Sequence, residues 1–363
     1  MTRSARPSGG TAGADALWTA VIDGDEYAAT DIVMAALDDG MDPEDLLLDV
    51  IAPLQARVGR EWAANRITVA QEHTATAVNE RVIGAVAHHP AVRRRAAAAP
   101  ERPGRIAVAC IDGEWHALPA RLLAEVLRLR GRQVDYLGAQ VPTPHLISHL
   151  HRTAPAAVAL SSSIATRLPA AHAAITACQS TGTPVMAGGA AFGPGGRYAD
   201  LLGADAWAPD ARAAADRLAR GPLPRPHPHR VVDDLPHLAD HTYAHVTSTA
   251  PRLVRHVLDG LRSRIPAMAG YTDEQRDRAA EDVSHIVEFA ATALYLDDPG
   301  LFTGFMTWTI DILAARDVPA RFLLPVLDLL DEQLTDYPRA TDLLSRARTT
   351  VQERIANTPP GGA

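Results

Sequence analysis

The chain has 363 residues, 47% hydrophobic and 21% charged, with a formal net charge of −8, a balance that specifies several folded domains, each able to bury its own core. That acidity argues against general nucleic-acid binding, which needs a basic face, and no apolar run is long enough to span a bilayer. All 35 basic residues are arginine, which excludes a Walker lysine, a Schiff-base lysine and the usual attachment of pyridoxal phosphate.

Residues 1–14 lack the apolar stretch of a secretory signal and read as a disordered tail on a cytoplasmic protein. The two cysteines, Cys110 on an apolar strand and Cys178 in a helix, suit a reducing compartment and form no cysteine metal site. From Asp15 to about His89 apolar residues recur at helical spacing, among them Leu17, Val21, Ile32, Val33, Leu46, Val50 and Leu54, which predicts a four-helix bundle over 15–90. Its third helix starts on Asp42 as N-cap, with Pro43 in the first turn and Glu44 and Asp45 behind it; Pro53 predicts a kink further on. The fourth runs from about Val69 to His88. Trp62 closes the third helix and Glu72-His73 opens the fourth, across a turn at Asn65-Arg66. These three form either a ligand-facing wall or a core tryptophan beside ordinary polar residues.

Ala91 to Gly104, with Arg93-Arg94-Arg95, reads as a linker and solvated spacer. Beyond it strands (Arg105–Ile111, Gln133–Leu137, Ala156–Ser162, Pro184–Ala187) alternate with helices (Ala117–Arg130, Pro142–Thr153, Leu168–Ser180). This pattern predicts a doubly wound, Rossmann-like parallel sheet over 104–220. Three loops at the carboxyl ends of the strands carry its polar groups: Glu114-Trp115-His116, Ser161-Ser162-Ser163 with Thr166, and Gly188-Gly189 with Gly193. An imidazole two residues from a carboxylate at such a loop suits a metal on one ring nitrogen and the carboxylate on the other; it equally suits a surface or capping histidine. Hydroxyls and bare glycine backbone admit a large planar or phosphate-bearing ligand, or serve as ordinary turns. A dinucleotide is disfavoured, because the first turn lacks G-x-G-x-x-G and carries the bulky Trp115.

A Pro/His/Arg linker, Gly221 to Val232, leads into an all-helical domain over 236–357. Five helices are expected near Asp240–Ile265, Thr272–Leu296, Pro299–Arg316, Pro319–Leu334 and Arg339–Ile355, with Thr272 and Asp298 as caps. A domain of this kind either holds a flat cofactor, with His241, His245, His256, His285, Arg252, Arg255 and Arg262 available to its propionates, or serves as a dimerisation or signalling bundle.

The alternating segment resembles the cobalamin-binding domain of corrinoid proteins, in which Asp/Glu-x-His-x-x-Gly precedes a Ser/Thr loop and a Gly-Gly loop. Here the counterparts are Glu114-x-His116-x-x-Pro119, Leu160-Ser161-Ser162-Ser163 and Gly188-Gly189. The resemblance implies His116 as the lower cobalt ligand, Glu114 behind it, and the displaced nucleotide tail running toward the serines and glycines. Trp115, Ser161, Ser163, Thr166, Gly188 and Gly189 are assigned to the cofactor with them. The bundle before it resembles the cap over such a corrin, and Trp62-x9-Glu72-His73 is similar to the signature of CarH-like cobalamin photoreceptors. That implies adenosylcobalamin, with Trp62 on the adenosyl group and Glu72 accepting from the ribose. Those photoreceptors have a histidine after the tryptophan that binds cobalt in the light; Ala63 stands there, leaving His73 as the substitute.

The order of cap, cobalamin domain and globin-like domain is similar to that of photocobilins, which bind cobalamin and biliverdin. The implied bilin is non-covalent, since no cysteine lies beyond Cys178, and its pocket is assigned to His285, Tyr295 and Trp308, with His285 alternatively a haem ligand. The implied function is a light sensor without enzymatic activity, signalling through a homo-oligomer or a downstream effector protein. The alternative is a corrinoid methyl carrier of a methyltransferase system, which shares His116 and needs no adenosyl-sized wall.

Overall fold

The computed structural model describes residues 9–100, 104–226 and 235–357, and it divides into two units, 1–228 and 229–363. In the first unit four helices form the cap: α1 (Gly9–Ile22), α2 (Glu26–Asp38), α3 (43–63) and α4 (Val69–His88). Helix α1 begins inside the stretch expected to be a tail; the run Thr11-Ala12-Gly13-Ala14 prolongs it, alanine being the strongest helix former. Residues 1–8 of that expected tail lie outside the described residues. Asp42 caps α3 as expected, accepting from the N–H groups of Glu44 and Asp45. The kink anticipated at Pro53 takes the form of a widened segment: Leu46–Ile51 is π-helical, and the Ala52 N–H reaches back to the Leu47 carbonyl. Proline at 53 lacks the N–H that an α-turn would use, so the turn ahead of it is wound loosely. A reciprocal capping box between Thr68 and Gln71 starts α4.

The expected linker after the cap is a helix, α5 (Pro90–Ala98), capped by His89. Its alanines favour helix, and Arg95, read as solvated spacer, instead forms ion pairs with Asp42 and Glu44.

Five parallel strands follow, β1 (Ile106–Cys110), β2 (Val134–Gly138), β3 (Ala157–Ser161), β4 (Val185–Gly188) and β5 (Ala206–Ala208), in the order β2-β1-β3-β4-β5. Every residue of β1 and β3 is buried, as a sheet covered on both faces requires. Strand order reverses at β1, whose neighbours are β2 and β3, so the loops after β1 and β3 flank the topological switch point. Helices α6 (Leu118–Leu129), α7 (Thr143–Thr153), α8 (Leu168–Ser180), α9 (Arg197–Leu201) and α10 (Ala211–Ala219) complete the layer. Strand β5 and helices α9 and α10 were not anticipated: three and five residues are too few to show a period, and the nine of α10 bury mainly alanines, which give a weak one.

The cap and sheet share one apolar core, in which Leu46, Val58, Val82 and Ile83 from the cap join Val108, Val126 and Leu127 from the sheet domain. Each such side chain is worth about 1.5–3 kcal/mol when fully buried. The second unit is all-helical, with α11 (Thr242–Arg264), α12 (Asp273–Leu296), α13 (Pro299–Ala314), α14 (Leu323–Gln333) and α15 (Pro338–Asn357) matching the five expected helices. Thr272 and Asp298 cap α12 and α13 as read. Its own core includes Leu253, Val257, Phe302, Met306, Leu327 and Leu344. Gly260 on α11 lets α14 approach so closely that an added Cβ would lie 2.4 Å from Leu329 Cδ2.

Candidate functional site

The loop between β1 and α6 turns sharply and buries Glu114 to 1% exposure, while His116 keeps half of its side chain open. One Glu114 oxygen accepts from the His116 N–H at 2.9 Å and pairs with His116 Nδ1 at 2.6 Å. The other accepts from Ser162 Oγ (3.0 Å) and the N–H groups of Ser163 (2.6 Å) and Ile164 (3.2 Å). Burial alone would raise the Glu114 carboxyl; the hydrogen bonds from His116, Ser163 and Ile164 outweigh it and hold it at about 2. The hydrogen bond that the His116 ring donates to Glu114 raises the His116 pKa against the effect of burial, and Glu72 of the cap adds to the rise through space. With Nδ1 committed to an ionised carboxylate, the neutral ring presents its lone pair on Nε2. That is the donor set a single cobalt ligand requires.

The serine loop therefore serves the first loop more than it serves open space. Ser162, 0% exposed, donates to Glu114, and Ser163 acts through its backbone. Ser161 is buried at the end of β3, beside Cys110 of β1, and Thr166 is half-buried in the short turn before α8. Gly189 has φ +99°, and an added Cβ would lie 2.1 Å from the Ser162 carbonyl oxygen. Only glycine lets the two loops meet there.

Beneath these loops lies a cavity of ≈90 Å³ lined by Pro119, Ser161, Met186, Gly188, Gly189 and Asp210 among others. Pro119, where the family pattern has glycine, stands in the first turn of α6 at this cavity. The lining from Ala208 to Ala214 comes from β5 and α10, which sequence reading missed; Asp210, which caps α10 by accepting from the Ala213 N–H, was the available signal. Trp115 is 72% exposed beside His116, an open aromatic face at the mouth of the site.

In the cap, Trp62 is half-buried against the core and Glu72 is half-buried near His116. His73 is exposed and pairs through Nδ1 with Glu72 at 2.6 Å. Glu72 lies near enough to His116 for its charge to act on the imidazole. Cys110 and Cys178 are buried and pushed up to about 12 by desolvation, so neither is a thiolate. Among the described residues no group of three or more His, Cys, Asp or Glu could hold a metal ion, and no helix is long and apolar enough to cross a membrane.

Two family models, each described as a B12 binding domain, match residues 14–87 and 104–219. The chain is a cobalamin-binding protein. The B12-binding unit resembles the monomethylamine corrinoid protein of Methanosarcina barkeri at 18% identity and a TM-score of 0.50, over 58% of this chain and 98% of that one. A novel cobalamin-binding protein from Desulfitobacterium hafniense DCB-2 aligns at 19% identity and a TM-score of 0.31, over 57% and 97% of the two chains. The methanol:cobalamin methyltransferase complex of Methanosarcina barkeri aligns at 20% identity and a TM-score of 0.30, over 59% and 80%. No curated protein matches the sequence. In this cobalamin-binding protein the cap and the sheet domain coincide with the two matched B12 domains.

The residues assigned to a bilin lie apart from the apolar cavity of the second unit. His285 is exposed, Trp308 is 48% exposed, and Tyr295 is buried against Tyr243. The cavity described in the second unit, ≈10 Å³, is lined by Val246, Leu253, Val287, Leu330 and other apolar side chains, and none of the three assigned residues reaches it. Helical periodicity placed His285 and Trp308 on helices correctly.

Proposed function

We propose that His116 Nε2 is the lower ligand to the cobalt of a bound cobalamin, and that Trp62, Glu72 and His73 form the wall over its upper face. The observation that carries this is the pairing of His116 with a buried, ionised Glu114 at the switch point, within electrostatic reach of Glu72 of the cap. Trp115 offers an aromatic surface to the ring's lower side, and the cavity of Ser161, Gly188 and Gly189 takes the displaced nucleotide tail. Bound cobalamin would supply a labile cobalt–carbon bond at the site that these residues enclose. Glu114 fixes the imidazole orientation, and the cap excludes water from the upper side.

The identity of the upper group separates two readings. A fold shared with a monomethylamine corrinoid protein supports a methyl carrier in a methyltransferase system, and the comparisons favour it over a sensor. An adenosylcobalamin light sensor is supported by Trp62 and Glu72, both half-buried in the cap and both part of the photoreceptor-like signature. It is also supported by the second unit, since 58% of this chain, a stretch no longer than the first unit, already covers 98% of the aligned corrinoid protein. In that reading the second unit is globin-like and takes biliverdin non-covalently near His285 and Trp308, with output through a homo-oligomer or an effector protein.

The test is an absorption spectrum of protein loaded in the dark with adenosylcobalamin or methylcobalamin and then exposed to green light, with and without biliverdin. Tighter adenosylcobalamin binding, a protein-dependent photoproduct and a red bilin band support the sensor. Equal or tighter methylcobalamin binding with no bilin band supports the carrier, and an unchanged affinity in His116→Ala would overturn ligation in either case.

A further inference from the structure

The contact between α3 and α4 carries a line of polar side chains where a helix pair would ordinarily bury apolar ones. Asn79, 1% exposed, donates through Nδ2 to Gln55 Oε1 at 2.7 Å. Gln55 donates through Nε2 to Thr76 Oγ1 at 2.8 Å, and Thr76 donates its hydroxyl to Glu72 Oε1 at 3.1 Å. The remaining Glu72 oxygen faces His73 Nδ1 at 2.6 Å. Direction matters in this series. An amide N–H has only a proton to give, so Gln55 occupies a Thr76 lone pair and leaves the hydroxyl proton free for Glu72. The amide carbonyl of Gln55 is in turn held by Asn79, which prevents the amide from flipping and reversing the order. A hydroxyl constrained to donate favours an acceptor-only partner, the ionised carboxylate.

We infer that Gln55 and Asn79 are positioning residues for the upper face of the cobalamin site, acting through Thr76 to fix the rotamer and the acceptor role of Glu72. The inference rests on the proposed wall and deepens it. Glu72 is the part of the wall that a hydroxyl-bearing upper ligand can engage, and the relay determines that Glu72 meets it as an acceptor in one orientation. The relay lies entirely in the cap, 37 residues or more before His116 in sequence, and contains no cobalt ligand. It therefore separates discrimination at the upper face from ligation at the lower one.

The experiment uses the full chain and three variants, Gln55→Leu, Thr76→Val and Glu72→Gln, each checked for an unchanged melting profile. The first readout needs no cofactor: the ¹³C resonance of the Glu72 carboxyl in glutamate-labelled protein, assigned by its disappearance in Glu72→Gln. It is expected to shift in Gln55→Leu and in Thr76→Val. The second is the ratio of dissociation constants for adenosylcobalamin and methylcobalamin in the dark. Loss of one hydrogen bond to a charged group predicts a change in that ratio of about tenfold, of the same sign in all three variants, with the pair Gln55→Leu and Glu72→Gln no worse than Glu72→Gln alone. A Glu72 resonance that stays in place in both Gln55→Leu and Thr76→Val overturns the positioning role, and so does full additivity in the pair. A resonance that shifts while even Glu72→Gln leaves the ratio unchanged supports the relay and overturns Glu72 as part of the wall.

Discussion

Glu114 takes five hydrogen bonds, two from His116 through its N–H and its ring and one each from Ser162, Ser163 and Ile164, and its neighbours are arranged around an ionised carboxylate. In Glu114→Ala the N–H groups of Ser163 and Ile164 lose their partner inside the protein and the Ser162 hydroxyl keeps only the longer bond to the Ile164 carbonyl, a change expected to lower the unfolding free energy by roughly 3 kcal/mol. Urea denaturation without cofactor checks it. The same variant is expected to weaken cobalamin binding about 10–100-fold, the usual cost of removing the group behind a ligating histidine; a spectroscopic titration reads it. Gly189→Ala combines a left-handed φ with a Cβ 2.1 Å from the Ser162 carbonyl. A loss of about 3 kcal/mol or more is expected, because neither backbone can yield without moving Glu114's donors; a midpoint within experimental error of wild type would show that the two loops can part. At this scale the sequence was informative about Glu114 and His116, which lie two residues apart, and silent about Ser162 as a partner, since 48 residues separate it from Glu114.

Helices meet sheet at one charged hub. Glu44, in the first turn of α3, takes two bonds from Arg130 at the end of α6 and a longer one from Arg212 of α10. Arg130 and Arg212 hold its carboxyl below the ordinary 4.5. A depressed folded value means that this contribution is complete above about pH 4.5 and is lost as the pH falls through the folded pKa. Stability measured between about pH 6 and 3 should therefore fall less steeply in Glu44→Gln than in wild type. At neutral pH the variant should be weaker by roughly 2 kcal/mol, with Arg130 left half-buried beside a neutral amide. Sequence reading identified Glu44 as an acid at the start of the third cap helix, which it is; that it also ties the cap to the sheet depends on arginines 86 and 168 residues away. The helix Pro90–Ala98 was misread for a related reason. Its composition looked like a spacer, and its one buried apolar residue, Val92, carries no period by itself.

The chain as a whole consists of two units with separate hydrophobic cores. Scanning calorimetry is expected to show two transitions, and Gly260→Val, whose side chain would collide with Leu329, should lower only the one belonging to the second unit. A chain ending at residue 228 should bind cobalamin within about twofold of the full chain, since the cap core, the Glu114–His116 pair and the cavity all lie in the first unit; equilibrium titration of the two chains tests it.

Local chemistry was readable without coordinates wherever neighbours in sequence interact. The caps at Asp42, Thr272 and Asp298, the period of the helices, the alternation of strand and helix, and the carboxylate-imidazole loop all depend on residues within a turn of one another. Tertiary structure alone decided what distant residues do: the three-residue strand β5 that closes the cavity, the serine loop folded onto Glu114, the relay from Asn79 to Glu72, and the outward placement of His285 and Trp308. A hydrogen-bond partner or a buried face is fixed by where the chain returns, and periodicity records only that a face exists.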